Sequence, residues 1–225
     1  MIPLRDDNPT RTFPVITVAI IAICVLIFVW QIMLPPDAAQ EAIFSLGVIP
    51  AVLFGEAELA EPLVPAGATI FTSMFLHGGL LHLAGNMLYL WIFGDNIEDR
   101  MGRGRFIVFY LICGVVAALA QALPDPRSTI PMIGASGAIS GVLGAYLLLY
   151  PHAKVLVALP FIVLYTFRVP AVLVLGLWFV GQLMSSATAD PGAGGVAFGA
   201  HIGGFVAGLV LIRFFVRDSR RIRRP

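Results

Sequence analysis

The sequence predicts an all-α membrane protein: a bundle of six transmembrane helices with a long, partly embedded first loop. Hydrophobic residues make up 59% of the 225 residues and charged residues 12%, whereas a soluble domain carries roughly 25% charged residues. The chain also contains several long uncharged runs. Finally, nearly all lysines and arginines fall on one side of a six-span arrangement, which is the charge asymmetry of multi-pass membrane proteins.

A helix needs about 20 largely apolar residues to cross the hydrocarbon core of a bilayer. In chain order, the candidate spans are Val15–Met33, Leu80–Asn96, Phe106–Leu123, Ser136–Tyr150, Pro170–Met184 and Phe198–Phe215. The apolar run of the first span is too long for a signal peptide, and no small-residue cleavage site follows it. We therefore expect the first span to be an uncleaved transmembrane helix.

The connections between the spans differ in character. Residues 34–74 are rich in proline and glycine and contain acidic residues, so we expect a long loop with partly embedded helical pieces. Residues 155–166 carry Pro160 and are bounded by Lys154 and Arg168, which favours an interfacial connection. A small loop, Ser185–Val196, precedes the last span.

Charge placement predicts the orientation. Six spans put both termini on one side, together with residues 95–105 and 150–169. These segments, with Arg213 at the end of the sixth span, hold 13 of the 14 lysines and arginines; Arg127 is the exception. The positive-inside rule makes that side cytoplasmic. We thus divide the chain into a cytoplasmic N-terminal segment (1–14), a six-helix domain (15–216) and a basic cytoplasmic tail (217–225). The tail is interpreted as a topology anchor, with binding to anionic lipid as the alternative.

Other partners are not indicated. Cys24 and Cys113 fall in apolar runs, and no cysteine–histidine cluster has zinc spacing, so we expect no metal and no cofactor. The net charge of +1 gives no indication of nucleic-acid binding. The expected surroundings are a lipid bilayer, and the sequence leaves the oligomeric state open.

A few polar side chains interrupt the spans. A charged side chain at the centre of a membrane helix costs about 2.5–3.5 kcal/mol on insertion scales, so intramembrane polar residues are functional candidates. They are His82 and Asn86 in the second span, Ser136 and Ser140 in the fourth, and His201 in the sixth. Gln121 and Gln182 lie close to predicted span ends and are interpreted as interfacial.

Three of these residues fall at one depth. Ser136 lies 14 residues before Tyr150 at the cytoplasmic edge, His201 lies 12 residues before Arg213, and Asn86 lies 12 residues before Glu98. At a rise of 1.5 Å per residue these separations are ~21 Å and ~18 Å. The common level is ~10 Å below the outer surface of a ~30 Å core, so the three spans are predicted to direct polar groups to one place.

The spans that carry Ser136 and His201 also contain small residues at helical spacing. Gly137 and Gly141 are four residues apart in the fourth span, as are Gly204 and Gly208 in the sixth. Small faces allow helix backbones to approach closely in lipid. This pattern favours a close pair of helices that brings the hydroxyl and the imidazole together.

The chemistry of these groups predicts a nucleophile and its base. A serine hydroxyl needs a base to become a good nucleophile, and His201 can take that proton from Ser136. Asn86, His82 and the N–H of Ser136, at a helix start, can form an oxyanion hole. Because no aspartate or glutamate lies at this level, a Ser-His dyad is more economical than a triad.

These residues resemble the motifs of the rhomboid proteases. The chain has H-L-A-G-N from His82 to Asn86, G-A-S-G from Gly134 to Gly137, and A-H-I-G-G from Ala200 to Gly204. Each motif is short, but all three occur in the family's order and on the corresponding spans. The resemblance covers about residues 69–211.

The resemblance implies an intramembrane serine endopeptidase that hydrolyses peptide bonds in or near transmembrane segments of membrane proteins. It implies Ser136 as nucleophile, His201 as general base, and His82 and Asn86 as oxyanion supports. It also implies that Ser185–Val196 caps the site and that the fifth span is a lateral gate. We expect a multi-pass protein of a bacterial plasma membrane, acting on helices with small or helix-breaking residues.

Two features depart from the pattern of the rhomboid proteases. The first loop lacks the Trp-Arg pair of many members, and Ser140 stands where many carry an aromatic residue that packs on the histidine.

Two other classes of protein are alternatives. An inactive, rhomboid-like binding protein is one of them, although such relatives usually lack the serine or the histidine. A small transporter or channel is the other, but the intramembrane charges and internal repeats that this class favours are not found in the sequence.

Overall fold

The computed structural model describes residues 1–60, 62–159, 162–188 and 195–216. The helices are α1 (Val15–Met33), α2 (Pro36–Leu46), α3 (Pro50–Leu53), α4 (Thr69–Thr72), α5 (Leu80–Met101), α6 (Arg103–Ala122), α7 (Ser136–Leu149), α8 (Ala171–Thr188) and α9 (Phe198–Phe215). Short 3₁₀ turns lie at Ala66–Ala68 and Ser73–Phe75. The strands are β1 (Ile2–Asp6), β2 (Lys154–Leu159) and β3 (Ile162–Pro170).

Each predicted span coincides with a helix. The bounds of α1 and α9 agree with the prediction, whereas α5 and α8 continue further, to Met101 and Thr188. Within the part of the chain that the structure describes, four helices, α1, α6, α8 and α9, are long and apolar enough to cross a membrane. The chain is therefore a multi-pass membrane protein with a mostly helical fold, and the count of six spans stays a prediction for α5 and α7.

Helix α7 lies at the centre of the bundle. Every residue from Gly137 to Tyr146 is buried, and α7 packs against α5, α6, α8 and α9. At 14 residues it is ~21 Å long, shorter than a ~30 Å hydrocarbon core. A short helix that is buried along most of its length can begin inside the protein and present its first turn there.

The prediction of an all-α chain needs a correction at one end of the bundle. β1, β2 and β3 form an antiparallel sheet in that order, with β1 paired to β2 from Ile2 to Asp6. The interfacial connection expected at residues 155–166 is part of this sheet. Val155 and Val157 alternate inward and are fully buried, which is the period-2 pattern of a half-buried strand. The sequence did not indicate these strands, because Pro160 and the flanking charges of Lys154 and Arg168 favoured an interfacial connection.

Several contacts gather four segments of the chain at this same end. Side-chain hydrogen bonds join Asn8 to Asn96, Thr12 to Asp99 and Tyr146 to Asp6. The guanidinium of Arg105 donates to the backbone carbonyls of Phe215 and Val216. The N-terminal segment, the α5–α6 turn, the β2–β3 hairpin and the end of α9 therefore lie together. Which side of the membrane this end faces stays a prediction, and the tail 217–225 lies outside the described residues.

The long first loop contains α2, α3, α4 and the two 3₁₀ turns, so its predicted helical pieces are present. One stretch pairs with the approach to α7: Val48 and Met132 exchange two backbone hydrogen bonds of 3.0 and 2.8 Å. A third bond runs from the N–H of Ala51 to the carbonyl of Ser128 (3.0 Å). The loop thereby fixes the chain just before Ser136, and its embedding in lipid stays a prediction.

Glu98 of α5 holds the start of α1. Helix α1 follows Pro14 and has no side-chain cap of its own, so its first N–H groups need external partners. The buried Glu98 carboxylate accepts hydrogen bonds from the N–H groups of Ile16 (3.0 Å) and Thr17 (2.8 Å) and from the Thr17 hydroxyl (2.9 Å). One side chain of α5 therefore docks α1 and satisfies its end.

We expect Glu98→Ala to destabilise the fold by about 2–3 kcal/mol, because buried donors at the start of α1 lose a charged acceptor. Equilibrium unfolding in mixed detergent micelles measures this. Asp99→Ala is the matched control: Asp99 accepts exposed hydrogen bonds from the backbone and hydroxyl of Thr12, so it should cost less than about 1 kcal/mol. Equal losses in the two variants would contradict the capping role of Glu98.

Candidate active site

Ser136 is the first residue of α7, and backbone hydrogen bonds fix the segment that precedes it. The Val48–Met132 bridge holds the approach from one side, and the N–H of Gly134 donates to the carbonyl of Ser73 (2.8 Å). The N–H of a first helical residue has no partner within its helix. The Ser136 hydroxyl and its own N–H are thus presented together at a fixed position.

Gly134 makes this approach possible. Its φ of +125° is a backbone conformation that L side chains rarely adopt. A Cβ atom built on Gly134 would also lie 2.8 Å from both Cε1 and Nε2 of His82 and 3.8 Å from Nδ2 of Asn86. The missing side chain therefore lets two polar groups of α5 lie beside the start of α7.

The imidazole of His201 meets the Ser136 hydroxyl. The two atoms, Nε2 and Oγ, are 2.7 Å apart, a hydrogen-bond distance. His201 lies in the first turn of α9, and the carbonyl of Ala197 accepts its backbone N–H (3.2 Å). An imidazole that accepts the serine proton is the arrangement of an activated nucleophile.

Glycines bring α7 and α9 to this distance. A methyl group on Gly204 or Gly208 would overlap the backbone carbonyl oxygen of Gly137 or Gly141 respectively. The predicted pairing of the two small-residue faces is confirmed by these contacts. Because the backbones touch without intervening side chains, the first turns of the two helices are held in a single register.

Aromatic and amide side chains surround the other faces of His201. The ring of Trp178 in α8 is 5.9 Å from the imidazole at a tilt of 35°, and Phe198 stands edge-on at 6.5 Å. Nδ1 of His201 is 2.7 Å from Oε1 of Gln182, also in α8. Ser140 does not pack on His201; its hydroxyl donates to the carbonyl of Ser136 (2.6 Å). Trp178 thus supplies the aromatic contact that position 140 lacks.

Asn86 and His82 place polar groups beside Gly134, two residues before Ser136. The side-chain nitrogen Nδ2 of Asn86 is buried and has no hydrogen-bond partner among the described residues. The N–H of Gly78 donates to Nδ1 of His82 (3.4 Å), which leaves the proton of the neutral ring on Nε2, the nitrogen that faces Gly134. Together with the N–H of Ser136, these groups can stabilise a negatively charged oxygen.

A small cavity adjoins Ser136. Its volume is about 30 Å³, and about 10–15 Å³ suffices for one water. Its walls are small or apolar and come from α6, the approach to α7, α7 itself, the first loop and the start of α9; they include Gly114, Ala117, Ala118, Gly134, Ser136 and Ala200. The cavity can hold a water or a small side chain beside Ser136.

Comparison with known proteins adds the family. The Rhomboid domain model matches residues 66–218, which include the Ser136–His201 pair and the Asn86 and His82 donors. This chain belongs to the rhomboid family. Rhomboids are known as intramembrane proteases, so the family agrees with a serine and a histidine paired inside a membrane protein.

The rhomboid relatives come from several compartments. The chain is 32% identical over 160 residues to Rhomboid protein 1, mitochondrial, of Saccharomyces cerevisiae (68% of this chain, 43% of that protein). It is 30% identical over 161 residues to Rhomboid-like protein 11, chloroplastic, of Arabidopsis thaliana (66% and 52%). It is 44% identical over 78 residues to Rhomboid protease GluP of Bacillus subtilis (35% and 15%). The chain thus matches about half or less of each relative, and its placement in a bacterial membrane stays a prediction.

The residues predicted from the sequence of this rhomboid lie together in the structure. Ser136 and His201 are in contact, and His82 and Asn86 flank the approach at Gly134; their catalytic roles stay predictions. The predicted cap, Ser185–Val196, includes residues 189–194, which lie outside the described residues.

Sequence reasoning missed the contribution of α8. Gln182 was interpreted as an interfacial residue near a span end, but the helix continues to Thr188 and places its amide on His201. Gln121 likewise contacts α9, where its Oε1 accepts the N–H of Ala200 (3.2 Å). The criterion applied to His82 and Asn86, a polar residue inside a span, identifies Gln182 once the span is given its full length.

We expect Gly208→Ala to destabilise this rhomboid by about 1–3 kcal/mol, because the methyl group forces α9 away from the Gly141 carbonyl. Unfolding in mixed micelles again provides the measurement. Gly104→Ala in α6 is the matched control, since nothing lies within 4 Å of the added methyl group. That change should be neutral or stabilise by up to about 1 kcal/mol. If Gly208→Ala were equally harmless, the close-packing explanation would be wrong.

Proposed function

We propose that this chain is an intramembrane serine endopeptidase that uses Ser136 and His201 as a catalytic dyad. The observation that carries the proposal is the 2.7 Å contact between Oγ of Ser136 and Nε2 of His201. Membership of a family of intramembrane proteases supports the same function. The substrates would be membrane proteins, cleaved in or near a transmembrane segment.

In the proposed first step, Oγ of Ser136 attacks the carbonyl carbon of the scissile peptide bond. Nε2 of His201 accepts the hydroxyl proton as the new C–O bond forms. The same proton then passes from Nε2 to the amine of the leaving segment as the C–N bond breaks. The products of this step are an acyl-enzyme on Ser136 and a free amine.

The proposed oxyanion hole acts while the carbonyl oxygen carries negative charge. The N–H of Ser136, Nδ2 of Asn86 and Nε2–H of His82 would donate to that oxygen. Nδ2 of Asn86 supports this role: it has no hydrogen-bond partner among the described residues, and a buried donor without an acceptor costs about 1–3 kcal/mol in the resting protein. Donors arranged in advance stabilise the transition state without reorganisation.

Water completes the proposed cycle. His201 would take a proton from a water molecule that attacks the acyl carbon, and then return it to Oγ of Ser136 as the ester C–O bond breaks. The cavity next to Ser136 has room for such a water in surroundings that otherwise exclude it. Its small lining residues also favour a substrate with a small side chain at the cleaved bond.

The proposal extends to the arrangement in the membrane. We infer six spans within residues 15–216, with α5 and α7 as the second and fourth, and both termini on the cytoplasmic side. The positively charged segments and the gathering of 1–14, the α5–α6 turn and the β2–β3 hairpin at one end support this orientation. The catalytic pair would then lie nearer the opposite surface.

A fluorophosphonate probe tests the dyad directly, because it reacts with activated serines. Purified wild-type protein should be labelled, whereas Ser136→Ala and His201→Ala should not, since one lacks the nucleophile and the other its base. The same variants should fail to cleave a transmembrane substrate in proteoliposomes. Ser140→Ala, a matched serine one turn along α7, should be labelled within about threefold of wild type.

Two results would contradict the proposed function. Labelling that persists in Ser136→Ala would mean that another serine reacts. A folded wild-type protein that is neither labelled nor able to cleave would favour the inactive binding-protein alternative.

Thiol accessibility tests the orientation. Cys24 and Cys113 are fully buried and unpaired, so background labelling should be low. In intact cells a membrane-impermeant maleimide should react with Thr129→Cys, before α7, and not with Lys154→Cys, in β2, because the exposed side chains are predicted to face opposite sides. After cell lysis both should react. The reverse pattern would invert the topology.

A further inference from the structure

Helix α8 is the least enclosed of the four helices that are long and apolar enough to cross a membrane. Its buried residues, Ala171, Val174 and Leu175, all lie in the first two turns. Beyond Leu175 no residue of α8 is buried. Even so, two side chains from this loosely packed part, Trp178 and Gln182, contact the imidazole of His201.

The spacing of these two residues makes them a unit. Residues four apart lie on one face of a helix, one turn above the other. Trp178 lies against the ring of His201 (5.9 Å between centroids), and Gln182 reaches its Nδ1 atom (2.7 Å). One face of α8 therefore contacts both the plane and the edge of the imidazole.

The hydrogen bond to Gln182 determines which nitrogen of His201 carries the proton. The amide oxygen Oε1 is an acceptor, so Nδ1 must be the protonated nitrogen of the neutral ring. Nε2 then keeps its lone pair and faces Oγ of Ser136 at 2.7 Å. The opposite tautomer would place a proton between Nε2 and the hydroxyl and could not accept the serine proton.

An amide suits this position in a membrane helix. In soluble serine hydrolases an aspartate orients the histidine, but a carboxylate on a lipid-facing helix carries a large insertion cost. A glutamine presents an acceptor of similar reach without a net charge. Among the described residues, Oε1 of Gln182 is the partner of Nδ1, and an acidic side chain is not bonded to the ring.

We propose that Gln182 is a positioning residue for His201: its amide oxygen holds the imidazole in the tautomer that lets Nε2 act as base toward Ser136. The inference rests on the proposed Ser-His dyad and adds a third member to it. Because that member lies on the loosely packed part of α8, the base is oriented only while α8 is docked against α9.

Two near-isosteric substitutions separate acceptor chemistry from packing. Gln182→Met keeps the length of the side chain and removes the acceptor, whereas Gln182→Glu keeps the acceptor. The rate of fluorophosphonate labelling should fall about tenfold or more in Gln182→Met. This loss should be smaller than the roughly 10⁴-fold loss seen when the aspartate of a Ser-His-Asp triad is removed. In Gln182→Glu it should stay within about threefold of wild type, and the acid limb of its pH profile should move to higher pH, because a carboxylate favours the protonated ring.

Gln121→Met is the matched control for a general effect of interhelical glutamines. Gln121 also bonds α9, but through the backbone N–H of Ala200 and not through the imidazole. Its labelling rate should remain within about threefold of wild type. Equal losses in Gln121→Met and Gln182→Met would attribute the effect to the anchoring of α9 and overturn the proposal.

Nuclear magnetic resonance of ¹⁵N-histidine-labelled protein tests the tautomer without any activity. The signals of His201, assigned by their absence in His201→Ala, should show a protonated Nδ1 and an unprotonated Nε2 in the wild type. Gln182→Met should lose that preference. A wild-type ring protonated at Nε2, or an unchanged preference in Gln182→Met, would overturn the inference.

The outcomes also separate this inference from the proposed function. If wild type is labelled, Ser136→Ala is not, and Gln182→Met is labelled as fast as wild type, the dyad stands and the role of Gln182 is wrong. If the wild type is not labelled, the proposed function fails. The tautomer measurement then decides the position of the His201 proton independently.

Discussion

The contact between the backbones of α7 and α9 is the constraint on which the rest of the structure depends. Inside a bilayer the hydrophobic effect does not drive helices together, so close association relies on packing and on small residues. Gly204 and Gly208 lie against the carbonyls of Gly137 and Gly141, with no room for a methyl group between them. This contact fixes the separation of the two first turns, and those turns carry Ser136 and His201.

Ser136 and His201 both lie in the first turn of their helices, which is where a polar site can be placed most readily in an apolar bundle. A helix start leaves N–H groups without intrahelical partners and gives the positive end of the helix dipole. In α7 this start is enclosed by other elements, and its approach is held by backbone bonds from Val48 to Met132 and from Gly134 to Ser73. Backbone bonds fix this segment without adding further polar side chains to the site.

Rigidity is distributed unevenly around the site. Helix α7 is buried along most of its length, and α1 is docked through the buried carboxylate of Glu98. Helix α8, in contrast, is enclosed only in its first turns, yet contacts His201 through Trp178 and Gln182. Ser136 therefore stands on a well-enclosed helix, while part of the surroundings of His201 belongs to the least enclosed of the four span-length helices.

Local signals in the sequence sufficed for the helices and for the polar residues that converge. Long apolar runs determine the bounds of α1 and α9, because only a helix satisfies its backbone groups in lipid. The three motifs are likewise local: two lie within α5 and α9, and the third spans the start of α7, so His82, Asn86, Ser136 and His201 could be identified without knowing how the helices pack. The glycine spacing even indicated which two helices pair.

The tertiary structure decided what depends on distant parts of the chain. β1 has no partner in its own neighbourhood and becomes a strand only when it meets β2, about 150 residues later. Gln182 resembles any polar residue near a span end until the packing of α8 on α9 turns its amide toward His201. Sequence by itself determined which residues are polar within apolar helices; the rotation and depth of each helix, set by packing, decided which atoms of those residues meet.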